Sequence, residues 1–288
     1  MKKIWTLPAV TLLAAGALTA CGTDTAQEPE AAPTPIEVTY NHYVAIGDSY
    51  AALGSRDAAT SGPETCLRSA DNYPALIGQH ERVEVTDDLS CSGAVTDDVV
   101  APSGEGENMI APQVDALSPE TDLVTVSIGG NDINFPVFAQ CFQDAILSGE
   151  QSDCSDEYDN AELLAGVDEK LANVYSTITE RAPSAYVYVT GYLPLLSAEG
   201  ECTDAAFVSE ADRAWAVDLT NQLNEHIAQV AGEHGLAFVM PENAEDHTVC
   251  AAPEERWTDL TGIDTDGYPM HPTPLGQEAM ADAVMEKL

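Results

Sequence analysis

Short apolar runs recur along the chain, each ending in a polar or glycine-rich turn. Tyr43–Ile46, Arg82–Thr86, Leu123–Ile128, Tyr186–Thr190 and Ala237–Met240 are rich in β-branched and aromatic residues and predict strands. Helical patterns lie between and after them. Asn72–Gln79 has Pro74 near its start, Ala161–Arg181 and Glu210–Glu233 are long and amphipathic, and Leu275–Leu288 closes the chain. The remaining connections read as loops, several of them long. Strands alternating with helices predict an α/β fold, a three-layer α/β/α sandwich around a five-stranded, mainly parallel sheet. In such a sheet, sites form just beyond the carboxyl ends of the strands.

The first 36 residues follow a different pattern. Lys2 and Lys3 precede an apolar run from Ile4 to Ala20, which predicts a secretory signal peptide over 1–20. Leu18-Thr19-Ala20-Cys21 resembles the lipobox of bacterial lipoproteins, so Cys21 is expected to carry lipid and anchor the protein at the outer face of the cell membrane. Residues 21–36 are rich in Thr, Ala, Glu and Pro and read as a tether. The folded domain is expected over 37–288. No later run is long and apolar enough to span a bilayer.

Charge excludes some partners. The 288 residues hold 10 Lys+Arg against 49 Asp+Glu, a formal net charge of -39 at pH 7. Such a surface keeps the protein soluble and repels nucleic acid and anionic membrane surfaces. A monomer is expected. Beyond Cys21 the chain has Cys66, Cys91, Cys141, Cys154, Cys202 and Cys250. An even number in an exported chain implies disulfides. The residues alone leave the pairing open, sequential pairing being the simplest. No Cys-x-x-Cys spacing occurs, so neither a metal nor any other cofactor is expected.

Candidate chemistry gathers at the strand ends. Tyr43–Ile46 runs into Gly47-Asp48-Ser49-Tyr50, with Ala51 and Ala52 suited to a helix start. An isolated Gly-Asp-Ser usually marks only a helix cap. The second strand leads to Cys91-Ser92-Gly93-Ala94, where Gly93 lets the backbone approach a ligand and offer its N–H. The third leads to Gly129-Gly130-Asn131-Asp132, where Asn131 offers an amide donor. His271 lies in the proline-stiffened Tyr268-Pro269-Met270-His271-Pro272-Thr273-Pro274 before the last helix. A serine needs an adjacent base to act as nucleophile, and histidine serves near neutral pH. Ester cleavage develops an oxyanion, for which the Ser49 N–H, the Gly93 N–H and the Asn131 amide are candidate donors.

These blocks, in this order, resemble the SGNH hydrolases, or GDSL esterase/lipase family. The similarity is closest to secreted actinobacterial esterases and lipases with three disulfides. The resemblance implies an ester hydrolase with Ser49 as nucleophile, His271 as base and Gly93 and Asn131 completing the oxyanion hole. It also implies the disulfides Cys66–Cys91, Cys141–Cys154 and Cys202–Cys250. The expected substrates are carboxylic or lipid esters, the alternative being acetylated carbohydrate. A non-catalytic surface-binding lipoprotein is the rival of another class, disfavoured because all the blocks are intact. One position departs from the family, whose members usually place Asp three residues before the histidine; here it is Tyr268. The group orienting His271 is therefore expected to be the Tyr268 backbone carbonyl, with Asp266 or Asp264 as alternatives.

Overall fold

The structure, a computed structural model, describes residues 38–288. The expected signal peptide over 1–20, the lipidation site Cys21 and the tether over 21–36 lie outside the described residues, as does residue 37. Five strands form the main sheet: β1 (Tyr43–Gly47), β2 (Thr86–Asp88), β3 (Leu123–Ser127), β4 (Tyr186–Thr190) and β5 (Ala237–Val239). Their order is β2-β1-β3-β4-β5, and every neighbouring pair is parallel. This is the flavodoxin-like order, whose direction of winding reverses between β1 and β3. β1 and β3 are buried at every position, the expected pattern for central strands covered on both faces. Their register pairs Gly47 with Ser127, so both strands end at the same level.

The helices are α1 (Ser49–Ala52), α2 (Tyr73–Gly78), α3 (Thr96–Val100), α4 (Phe135–Ser148), α5 (Asn160–Leu163), α6 (Val167–Arg181), α7 (Glu210–Glu233) and α8 (Pro274–Met285). Helix α2 packs on α8, while α3 packs on α6 and α6 on α7. Right-handed crossovers between parallel strands put these two groups on opposite faces, giving the expected three layers. The buried side of α6 is Val167, Leu171, Val174, Tyr175 and Ile178, a single stripe at helical spacing.

Three elements differ from expectation. The second strand was expected over Arg82–Thr86, but regular pairing begins at Thr86 and runs through two aspartates. Val83 instead forms a lone bridge with Tyr40. Asp88 tolerates its place because its carboxylate accepts from Asn72 Nδ2 at 2.8 Å and from the Ser90 N–H at 2.9 Å. The long helix expected over Ala161–Arg181 is broken into α5 and α6 at Gly166, whose φ of +78° ends one helix and starts the next. Helix α4 was not expected. Asn134 enters it in a left-handed conformation and its side chain makes no capping bond, while Pro136 stands in the first turn.

The three disulfides pair as Cys66–Cys91, Cys141–Cys154 and Cys202–Cys250, as the resemblance implied. The last two border a satellite apolar cluster that includes Phe142, Leu196, Val208, Val249, Leu260 and Met270. That cluster supports the long loops next to the strand ends. No helix among the described residues is long and apolar enough to cross a membrane.

Candidate active site

The end of β1 is shaped by close approach. A Cβ on Gly47 would sit 2.6 Å from the Ser127 carbonyl oxygen and 2.8 Å from the Ala51 Cβ, so only glycine fits. Gln113 clamps the Gly47 peptide from both sides, accepting its N–H at 2.7 Å and donating to its carbonyl at 2.9 Å. Asp48 then caps α1 by accepting the Tyr50 N–H at 2.9 Å. Ser49 is the first residue of that helix. Its N–H lies in the first turn, where no intrahelical acceptor exists, and it meets none elsewhere among the described residues.

His271 reaches this serine from the far end of the chain. It pairs with Asp259 in a two-stranded antiparallel ribbon, Thr258–Asp259 with His271–Pro272. Thr273 follows and caps α8 by accepting the Gly276 N–H at 3.1 Å. Gln277 of α8 locks this end to the first helices, donating to the Tyr50 carbonyl at 3.0 Å and accepting from the Tyr73 N–H at 2.8 Å. The result is a 2.8 Å contact between His271 Nε2 and Ser49 Oγ.

The other ring nitrogen corrects an expectation. His271 Nδ1 lies 2.7 Å from the Pro269 carbonyl oxygen, not from that of Tyr268. The Tyr268 carbonyl is taken by the backbone N–H of His271 at 3.3 Å. Met270 adopts a φ of +59°, and the tight turn it makes brings the carbonyl two residues back beneath the ring. Neither the Asp264 nor the Asp266 carboxylate bonds the imidazole among the described hydrogen bonds. Asp264 is exposed, and the Asp266 carbonyl accepts the Arg56 N–H at 2.9 Å. A carbonyl only accepts, so Nδ1 carries the proton and the Nε2 lone pair faces Ser49. The ring lies against Tyr50 and Phe135, with centroids 5.5 and 6.1 Å away. Burial holds the imidazole below its ordinary pKa, opposed by the Pro269 bond, which favours the charged form. The imidazole is therefore neutral, and a competent base, at neutral pH.

The two remaining predicted donors flank the same cleft. Gly93 has a φ of +82°, while a Cβ there would meet nothing within 4 Å; the backbone conformation, rather than space, calls for glycine. Its N–H meets no acceptor among the described residues. The Cys66–Cys91 disulfide and a 2.9 Å bond from the Cys91 N–H to the Gly47 carbonyl hold this loop to the end of β1. Asn131 donates one amide hydrogen to the Ala94 carbonyl at 2.9 Å, which leaves its second hydrogen unspent. Asp132 fixes the loop further, accepting from the Thr96 N–H and hydroxyl at 2.9 and 2.8 Å and pairing with Lys170 at 3.1 Å.

Ser49, Gly93, Asn131 and His271 together line an open cleft of about 320 Å³, with Phe135 and Met270 on its apolar side. Behind Phe135 lies a smaller apolar cavity of about 50 Å³, walled by Tyr50, Ile133, Phe138, Trp215 and Leu223. Phe135 and the other α4 residues were not singled out in the sequence, although Asn134 followed by Pro136 in the first turn is a signal that could have marked the start of α4. Tyr192 was also missed, although it follows β4 at the same sheet edge as the other blocks and its hydroxyl accepts the Gly130 N–H at 2.7 Å. The strand-end rule that located Ser49 and Asn131 applies to it equally.

The chain is similar to known lipases and esterases in sequence and in fold. The model of the GDSL-like Lipase/Acylhydrolase family matches residues 45–279. A Streptomyces coelicolor protein named Lipase 2 is 33% identical over 267 residues, covering 90% of this chain and 89% of its own length. Among solved structures, an extracellular lipase from Streptomyces rimosus superposes with a TM-score of 0.71 at 28% identity, covering 86% of this chain and 99% of that one. A phospholipase A1 from Streptomyces albidoflavus gives a TM-score of 0.66, also at 28% identity, covering 87% and 100%.

Proposed function

The chain belongs to the GDSL-like Lipase/Acylhydrolase family and is a carboxylic ester hydrolase, and we propose that Ser49 and His271 carry the reaction as a dyad, on lipid or other acyl esters, outside the cell. The observation that carries the reading is the 2.8 Å Ser49–His271 contact beside two unspent backbone N–H groups. Ser49 Oγ attacks the ester carbonyl carbon while its proton passes to His271 Nε2. The carbonyl oxygen takes the negative charge and is held by the Ser49 N–H, the Gly93 N–H and the free Asn131 amide hydrogen. The tetrahedral centre collapses, the alcohol leaves with the proton from His271, and Ser49 is left acylated. Water then attacks the acyl-enzyme, His271 takes its proton and returns it to Ser49, and the carboxylic acid departs. Throughout, the Pro269 carbonyl keeps Nδ1 protonated and the ring in register.

The apolar side of the cleft, Phe135 with Met270, supports an aliphatic acyl group over an acetylated sugar. The neighbouring structure described as a phospholipase A1 supports a lipid ester. Hydrolysis of p-nitrophenyl esters from acetate to palmitate by residues 37–288 tests the reading. Lipid-type activity extends to long chains, whereas confinement to acetate with added activity on acetylated xylan makes the protein a carbohydrate esterase. Secretion and a lipid anchor at Cys21 belong to the same proposal. Cys21→Ser is expected to shift the protein from the detergent to the aqueous phase with activity unchanged, and unaltered partitioning would remove the anchor.

A further inference from the structure

Tyr192 lies two residues beyond β4, in the sequence Thr190-Gly191-Tyr192-Leu193. One side chain of α7 fixes its backbone from both sides: Asn224 accepts the Tyr192 N–H at 2.8 Å and donates to its carbonyl at 2.9 Å. Its ring is buried edge-on against Tyr50, with centroids 4.8 Å apart. On the other side it fills the space that a Cβ on Gly130 would need, 2.9 Å away. Backbone and ring are thus held before the hydroxyl makes any bond.

The hydroxyl makes two. It accepts the Gly130 N–H at 2.7 Å and donates to Asp48 Oδ2 at 2.5 Å. The directions follow from the partners, since an N–H only donates and a carboxylate only accepts. Gly130 immediately precedes Asn131, and Asp48 immediately precedes Ser49. One oxygen therefore joins the residue before the nucleophile to the residue before the oxyanion amide. The sheet's own last tie here is the Asp48 N–H to the Ser127 carbonyl at 2.9 Å, three residues short of Gly130, so among the described residues the Tyr192 hydroxyl is what reaches the oxyanion loop itself.

Asp48 depends on this bond. It is buried, and no cation pairs with it among the described residues. Burial pushes its carboxyl up to about 7, against the lowering effect of the Tyr192 hydroxyl and the Tyr50 N–H, while Asp132 raises it. The titratable groups facing it are Tyr50 of α1, Tyr73 of α2, Tyr192 beyond β4 and Asp132 beyond β3.

We propose that Tyr192 is a positioning residue for ester hydrolysis: its hydroxyl sets the spacing between Ser49 and the Asn131 amide by tying Asp48 to Gly130. It lines the apolar cavity behind Phe135 but not the cleft that holds Ser49, Asn131 and His271, so it stands apart from the reacting atoms. Its effect falls on the transition state, where the oxyanion must meet its donors, and not on ground-state binding. The inference rests on the Ser49–His271 reading above.

Tyr192→Phe keeps the ring and removes the oxygen. Expected for p-nitrophenyl acetate is a fall in kcat of about tenfold with KM within about twofold, since one hydroxyl with two buried partners is lost. The rate of inactivation by a fluorophosphonate, read by labelling, is expected to fall in parallel. Asp48→Asn tests the same tie from the other end, because its amide oxygen still accepts from Tyr50 and its amide nitrogen donates to Tyr192. In that variant kcat is expected to fall less than in Tyr192→Phe, because the tie between Asp48 and Gly130 is kept. Wild-type kcat in Tyr192→Phe overturns the proposal, as does a loss confined to KM or a fall in Asp48→Asn as deep as that in Tyr192→Phe. A wild type that reacts with the fluorophosphonate but hydrolyses no ester would defeat the ester-hydrolase reading alone, and the inactivation rates would still decide the role of Tyr192.

Discussion

Replacing the acids near His271 separates a dyad from a triad. In a Ser-His-Asp triad the carboxylate accepts from Nδ1, and changing it to asparagine costs ~10⁴ in kcat because the wrong tautomer results. Here Nδ1 faces the Pro269 carbonyl at 2.7 Å, and no side chain among the described residues competes for it. Asp264→Asn and Asp266→Asn therefore remove no bond to the imidazole. What they remove is a solvent-screened Coulomb contribution of about a few tenths of a kcal/mol, roughly a twofold change in rate. Both variants are expected to keep kcat/KM on p-nitrophenyl acetate within about tenfold of wild type at pH 8. Pro269→Gly supplies the contrast. It frees the φ of the residue whose carbonyl is the acceptor, and an expected fall of about tenfold in kcat would report the loosened turn. A loss approaching ~10⁴ in either aspartate variant would identify that residue as a third catalytic member and refute the main-chain account.

Two further predictions follow from the loops that bear the oxyanion donors. Asn131→Ala is expected to lower kcat by about 10²–10³ with a modest change in KM, because its free amide hydrogen matters most once the oxyanion forms; a change confined to KM would make it a substrate-binding group instead. Cys66→Ser with Cys91→Ser opens a link spanning 25 residues, which corresponds to about 3.5 kcal/mol of stability and frees the Gly93 loop. A lowered Tm and a lowered kcat are expected together, and an unchanged kcat would detach Gly93 from the reaction.

The parts of the fold visible in the sequence are those where burial and secondary structure demand the same residues. β1 and β3 are buried throughout, so their apolar runs mark them almost to the residue, and the turns after them mark the site. β2 is an edge strand that ends in Asp87 and Asp88, where pairing persists after the apolar pattern stops. Helix α4 begins from a left-handed asparagine, and its start is set by the oxyanion loop and not by a cap. At the site, Ser49, Gly93, Asn131 and His271 stand at strand or helix ends, where residue type and position are both informative. The acceptor for His271 was displaced by one residue because a backbone carbonyl has no sequence identity; only the φ of +59° at Met270 decides which one turns inward. Tyr192 stood at a strand end like the others but its residue type did not mark it, because its role depends on a hydroxyl meeting two partners from distant segments and a tyrosine after a strand is ordinarily core.

The central claim is that Ser49 becomes acylated with His271 as its base. The direct measurement is intact-mass and peptide analysis of the protein after reaction with a fluorophosphonate, run beside Ser49→Ala. The account predicts a single adduct on Ser49 in the wild type. It predicts neither adduct nor p-nitrophenyl ester hydrolysis in the alanine variant, whose disulfides and melting temperature stay intact. An adduct on another residue, or substantial hydrolysis by Ser49→Ala, would contradict it.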